Sequence, residues 1–304
     1  MRATPWSATS NSKANVQGTG TTIVEVSPSG STSLFVQLSA LPSGQSCPGG
    51  IGLSTALAVL PGGWVVVGSL PTASGGALPS PDPVGCLIVL NNEGVPAETF
   101  TNANIVAPWD MAVTSTATSA QLYISNALGG NTSTNNGVPV AGNCTVVRLD
   151  LGLSTSAPPS LVTTTVVGSD FPWEANQAAL VLAPTGLALG RDGTLYVDDT
   201  QTNSISAITS AVTRTTPVTA TASVITSGGG LNASLGMTLA PNGNLIFVNG
   251  NDGNATEVTT SGTQLGTRTL VKDGAGDLFG LTPTADSSDL LFVNDGTNAL
   301  DLAH

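Results

Sequence analysis

Three stretches of this chain repeat one arrangement of apolar and polar positions. Residues 186–199, 236–250 and 280–295 each run from a glycine through a short apolar strand, a polar turn and a second apolar strand to an Asn/Asp cluster. Short apolar runs bounded by turn residues predict β-strands. Aligned on the second strand, five copies appear, at 64–68, 121–125, 194–198, 244–249 and 290–294. Inner-strand candidates precede them at 56–60, 110–114, 186–190, 236–240 and 280–283. Third and fourth strands follow most copies, at 86–90, 144–149 and 204–208, then at 161–167, 222–226 and 267–271. A four-strand unit recurring every ~45–75 residues, with its variation held in loops, predicts the blades of a β-propeller.

The best-formed copy contains Gly186, Ala188, Asp192, Gly193, Leu195, Tyr196, Val197 and Asp199, followed by Asn203. These residues resemble the NHL repeat and the related blades of SMP-30/gluconolactonase-type propellers. The resemblance covers the chain from about Leu53 onward and implies an all-β, six-bladed β-propeller. Residues 1–20 read as a polar N-terminal segment and 21–304 as one propeller domain. The N-terminal hairpin, 22–26 and 33–38, matches only the third and fourth strands of a blade, so the first blade lacks its inner two strands. Propeller closure joins the termini in one blade. The mismatch predicts either about 30–50 further residues upstream or a closed ring with 299–302 outside the sheet.

Composition narrows the function. Charged residues are 9% of the chain and hydrophobic residues 40%, a balance unlike disorder. The net charge of −12 rests on seven Lys and Arg, which leaves no cationic surface for nucleic acid or anionic membranes. No apolar run reaches membrane-spanning length. The first residues lack the apolar core of a signal peptide, yet the Thr/Asn/Gly-rich, Lys-poor composition reads as an exported bacterial protein, extracellular or periplasmic and monomeric.

Cys86 and Cys144 occupy the same place in neighbouring repeats, after long loops, and Cys47 precedes the first full repeat. In an oxidising compartment the expected disulfide is Cys47–Cys86, ahead of Cys86–Cys144. Three free thiols are the alternative in a reducing one. His304 is the only histidine and stands last, which removes Ser-His-Asp catalysis and His-ligated metals.

Carboxylates and amides remain. Asp110 stands at an inner-strand position that is Ala56 or glycine in the other copies. It is the candidate catalytic carboxylate, with Trp109, Asn126, Trp173 and Glu174 as candidate ligand-binding neighbours. The resemblance implies a Ca²⁺ ion held by Asp110, Asn126, Asp198, Asp199 and Asn249, since hard oxygen ligands suit that cation. The competing reading is that Asp and Asn after a strand cap turns through their own side chains. Two functions follow. One is an NHL-like scaffold that binds a protein, glycan or small molecule through its long-loop face. The other is a Ca²⁺-dependent, lactonase-like hydrolase.

Overall fold

The computed structural model describes residues 2–3, 20–70, 84–129, 140–176, 180–284 and 286–304, with backbone alone at 2–3, 140–143, 175–176 and 180. The chain divides into two compact units, residues 1–136 with 147–165 and residues 137–146 with 166–304.

In the first unit, strands β1 (Arg2–Ala3), β2 (Thr22–Val26) and β3 (Thr32–Gln37) form a small sheet. The first blade is a meander of β4 (Leu53–Val59), β5 (Val65–Leu70), β6 (Cys86–Leu90) and β7 (Pro96–Phe100). Every residue of β5 and β6 is buried, while β7 is half-buried over most of its length. This explains their sequences: Val-Val-Val and Leu-Ile-Val runs suit strands covered on both faces. The second blade contains β8 (Pro108–Ser115), β9 (Ser119–Asn126), β10 (Val140–Gly152) and β11 (Ser160–Asn176). Within it, Asp150 accepts hydrogen bonds from Gln121 Nε2 at 2.8 Å and Thr163 Oγ1 at 2.7 Å, and its carboxylate lies 3.3 Å from Arg148 Nε. Burial pushes that carboxyl up, but these donors and the Arg148 charge together hold it below its ordinary value.

The long strands β10 and β11 continue into the second unit, where β12 (Leu180–Leu182) pairs antiparallel with β11. The third blade comprises β13 (Pro184–Leu189), β14 (Leu195–Asp199), β15 (Ser204–Ile208) and β17 (Val224–Ser227). Between the last two lie β16 (Val218–Thr219), parallel to β11, and the one-turn helix α1 (Ala220–Ser223). That helix takes the first half of the strand expected at 222–226. The fourth blade is β18 (Ser234–Leu239), β19 (Leu245–Asn249), β20 (Asn254–Val258) and β21 (Gln264–Thr269). The fifth is three-stranded, β22 (Leu278–Pro283), β23 (Leu290–Asn294) and β24 (Ala299–Ala303).

The fold is therefore an all-β propeller of five blades, not six. The expected incomplete first blade is instead the separate β1–β3 sheet. Among the described residues its hairpin has only the two-residue β1 beside β2, and Ile23 packs into the cluster of Val65, Val67, Cys86 and Ile88 from the first blade. Residues 299–302 lie within a sheet rather than outside one, as β24.

Two features recur from blade to blade. Each inner strand carries a β-bulge at the same place, between Ser54 and Leu57, Pro108 and Met111, Pro184 and Leu187, Ser234 and Gly236, and Leu278 and Leu281. Glycines in or beside these bulges permit close approach of neighbouring inner strands. A Cβ on Gly236 would lie 2.2 Å from the Phe279 carbonyl oxygen, and one on Gly186 would lie 2.9 Å from the Met237 Cβ. At Gly186 and Gly236 the repeated glycine is thus a packing requirement.

Candidate functional site

The end of each second strand faces the start of its inner strand. Ser69, Asn126, Asp199, Asn249 and Asn294 are the aligned positions, paired with Ser54, Pro108, Pro184, Ser234 and Leu278. What each polar side chain does there decides whether it can serve a ligand.

In the first unit, Asn126 is buried and braces the loop entering β8. Its Oδ1 accepts from the Val106 and Ala107 N–H groups, both at 3.0 Å, and its Nδ2 donates to the Asn104 carbonyl at 2.9 Å. Trp109 and Asp110 occupy the bulge beside it. The backbone N–H of Asp110 donates to Ser125 Oγ at 3.2 Å, and Asp110 Oδ1 accepts from the Met111 N–H at 2.8 Å. Trp109 is buried, whereas Asp110 is half-buried. A bulge re-aims the residue it carries without disturbing the ladder on either side. Asp110 is thus a carboxylate oriented by its own backbone, next to an indole.

In the second unit, Asn249 repeats the role of Asn126. Its Oδ1 accepts from the Asn232 N–H at 3.1 Å and its Nδ2 donates to the Gly230 carbonyl at 2.8 Å. Asp199 has no amide to donate. Its Oδ1 instead accepts from Gln201 and Thr202 N–H groups at 3.2 and 3.4 Å, closing the turn that follows. Burial pushes the Asp199 carboxyl up to about 6, against hydrogen bonds that lower it. Asp198 is fully buried and its Oδ1 accepts from Ser234 Oγ at 2.6 Å, which places it beside the residue paired with Asn249. Around them Thr200 donates to the Ser234 carbonyl and accepts from Thr185 Oγ1 at 2.6 Å. Thr55 does the same in the first unit, donating to the Pro108 carbonyl at 2.6 Å. These hydroxyls link adjacent inner strands, and periodicity alone did not single them out.

Trp173 is fully buried in β11, and Glu174, half-buried, pairs with Leu182 of β12. The structure places both in this strand.

The expected disulfide is formed. Cys47 and Cys86 have Cα atoms 5.3 Å apart and tie the segment after β3 to β6. Cys144 is a free, buried thiol. Burial first, and the neighbouring Asp199 charge second, push it well above its ordinary value, so it remains protonated and poorly nucleophilic.

The resemblance to SMP-30-type propellers implies calcium, and three of its five expected ligands are turned to backbone groups instead. A Ca²⁺ ion needs six to eight oxygens turned toward one point. Here the amide oxygens of Asn126 and Asn249 and Oδ1 of Asp199 are committed to backbone N–H groups. Among the described residues no group of three or more His, Cys, Asp or Glu side chains could hold a metal ion. None of their helices is long and apolar enough to cross a membrane.

No protein-family profile matches the chain. No curated protein sequence matches it either. Solved structures do resemble it. A gluconolactonase from Xanthomonas campestris is 14% identical, with 91% of this chain and 76% of that one covered at a TM-score of 0.53. Regucalcin, a calcium-binding protein from Agrobacterium tumefaciens, is 15% identical over 90% and 74%, with a TM-score of 0.51. A proposed 6-phosphogluconolactonase from Bacteroides fragilis is 11% identical over 99% and 79%, with a TM-score of 0.53. At these identities the likeness is one of fold: the chain shares the backbone of β-propeller proteins.

Proposed function

We propose that this protein is a lactonase-like hydrolase acting on a small ring ester, exported to an oxidising compartment, and that Asp110 is its proton-accepting carboxylate. The observation that carries the reading is the second blade's bulge. It presents a half-buried, backbone-oriented carboxylate beside Trp109 where the aligned positions are alanine or glycine. The gluconolactonase-type neighbours support it at the level of fold. The Cys47–Cys86 disulfide supports the compartment. In the reaction, a water oxygen bonds to the ring carbonyl carbon as Asp110 takes its proton. The ring C–O bond then breaks, and the proton returns to the departing alkoxide. No step passes through a metal.

A second reading is a binding scaffold with no turnover. It is favoured by the commitment of Asn126, Asn249 and Asp199 to loop bracing, the role such residues have in a purely structural propeller. One experiment separates the two. The protein and its Asp110→Asn variant are assayed for hydrolysis of a panel of aldonolactones, with ligand-induced thermal shifts measured in parallel. The hydrolase reading requires turnover that falls at least ~100-fold in the variant while its melting temperature is retained. Saturable binding without turnover sinks it and leaves the scaffold.

A further inference from the structure

The chain that enters the Asp110 bulge is gripped by the first blade at two carbonyls. The Val106 carbonyl accepts from the Gly85 N–H at 2.6 Å, and the Pro108 carbonyl from Thr55 Oγ1 at 2.6 Å. The contact is close. A Cβ on Gly85 would lie 2.7 Å from Pro108 Cδ and 2.8 Å from the Val106 oxygen, and one on Gly68 would lie 3.1 Å from Pro108 Cβ. From the second blade's side, Asn126 accepts the Val106 and Ala107 N–H groups. Trp109 and Asp110 follow directly, so their placement is inherited from this grip.

Both first-blade donors stand on segments that the Cys47–Cys86 disulfide ties together. Gly85 immediately precedes Cys86, whose pairing with Ser69 is the last rung between β5 and β6. On the other edge of β6, pairing with β7 reaches only to Leu87. Cys86 is therefore held by a ladder on one side and by its disulfide, and Gly85 lies beyond both ladders. Thr55 is reached from Cys47 through Ile51 and Gly52. Ile51 and Cys47 pack into the same apolar cluster as Cys86, and the Gly52 N–H donates to Ser69 Oγ at 2.9 Å. The two arms thus meet at Ser69 and are locked there by one covalent bond.

We propose that this disulfide regulates the candidate site: the Asp110 bulge takes its working position only while Cys47 and Cys86 are joined. The activity arm of this inference rests on the hydrolase reading, whereas the structural arm stands without it. With both thiols reduced the blades persist, Gly85 and Thr55 loosen, and residues 106–110 shift with them. The site is then off in a reducing compartment and switched on by oxidation after export. A dithiol reductant reverses the switch. Its thiolate bonds to Sγ of Cys47, which is half-buried while Cys86 is fully buried, and Cys86 leaves as a thiolate that takes up a proton. The second reductant thiol then displaces Cys47. Both cysteines end as thiols and the reductant as a cyclic disulfide.

The test compares oxidised wild type, wild type reduced with dithiothreitol, and the Cys47→Ser/Cys86→Ser variant, all well below their unfolding temperatures. Amide exchange is read at Gly85, Ala107, Asp110 and Met111, with Phe247 and Val248 of the fourth blade as controls, alongside aldonolactone turnover. Exchange at the first four amides should be at least ~10-fold faster in both unbridged forms, with the controls unchanged. Turnover should fall ~10–100-fold in step and return when the wild type is reoxidised. Thr55→Val keeps the bridge but loses one donor. It should accelerate exchange at Asp110 and Met111, and it decides the matter if the double variant does not fold. Unchanged exchange at these amides on reduction, or in Thr55→Val, overturns the proposal. Equal acceleration in the fourth blade, which marks global loosening, overturns it too, as does turnover that persists undiminished in the reduced protein. Absence of turnover in the oxidised protein sinks the hydrolase reading instead, and the exchange data then decide this proposal alone.

Discussion

At Asp199 the chain buries a carboxyl, and burial outweighs the two backbone N–H groups that bond it, lifting its pKa from 3.8 to about 6. The folded protein then binds a proton that the unfolded chain has released. Its stability should decline as pH rises from about 4 to about 6, by on the order of 2–3 kcal/mol at most. The Asp199→Asn variant keeps an oxygen for Gln201 and Thr202 but cannot ionise. Denaturant unfolding at several pH values should show the difference between wild type and variant shrinking below pH ~4. Identical pH dependence in the two proteins would contradict the assignment. Asn126 illustrates the complementary case, because its amide both accepts and donates. Asn126→Ala should lose about 1–3 kcal/mol by leaving the Val106 and Ala107 N–H groups unmet. The presence of Asp and Asn at these strand ends was legible in the sequence. Their partners were not, since Asn104 and Gly230 lie about twenty positions away and are fixed only by the blade's register.

Between elements, close packing of inner strands sets the tolerance to substitution. Gly236→Ala must displace the Phe279 carbonyl and should lower stability by about 1–3 kcal/mol or more, read as a drop in melting temperature. Gly266→Ala, on the outer strand β21 with open space around it, should be nearly neutral. The Cys47–Cys86 bridge closes a separation of 39 residues. Replacing both cysteines with serine should remove about 2–4 kcal/mol, and reductant should lower the wild-type melting temperature in the same direction. The strands themselves were legible because Val- and Leu-rich runs alternate with Asp-Gly and Asn-Gly turns, as at Gly193 and Gly243, both in the left-handed region. The helix at Ala220–Ser223 was not. Four residues have no measurable periodicity, and tertiary context decides them.

For the molecule as a whole, the repeat fixed the architecture while the blade count slipped by one. The hairpin at 22–37 has the same apolar pattern whether it completes a blade or packs against the next one, and only the contacts of Ile23 tell them apart. Function was less legible still. Of the residues that align as a cation cage, Asn126, Asp199 and Asn249 brace turns and loops once their hydrogen bonds are drawn. If these hydrogen bonds hold in solution, neither calcium nor a chelator should move the melting temperature, and a calcium-dependent rise would contradict this assignment. The bulge has one more consequence. It takes a residue out of the hydrogen-bonded ladder in every blade, so chemistry can change there while the pairing that surrounds it stays the same. Gly280, whose missing side chain would meet nothing closer than 3.9 Å, is a vacant socket of this kind. Where a bulge leaves room, as at Gly280 but not at Gly186 or Gly236, the fold can acquire a new specificity by a single substitution, without renegotiating its core.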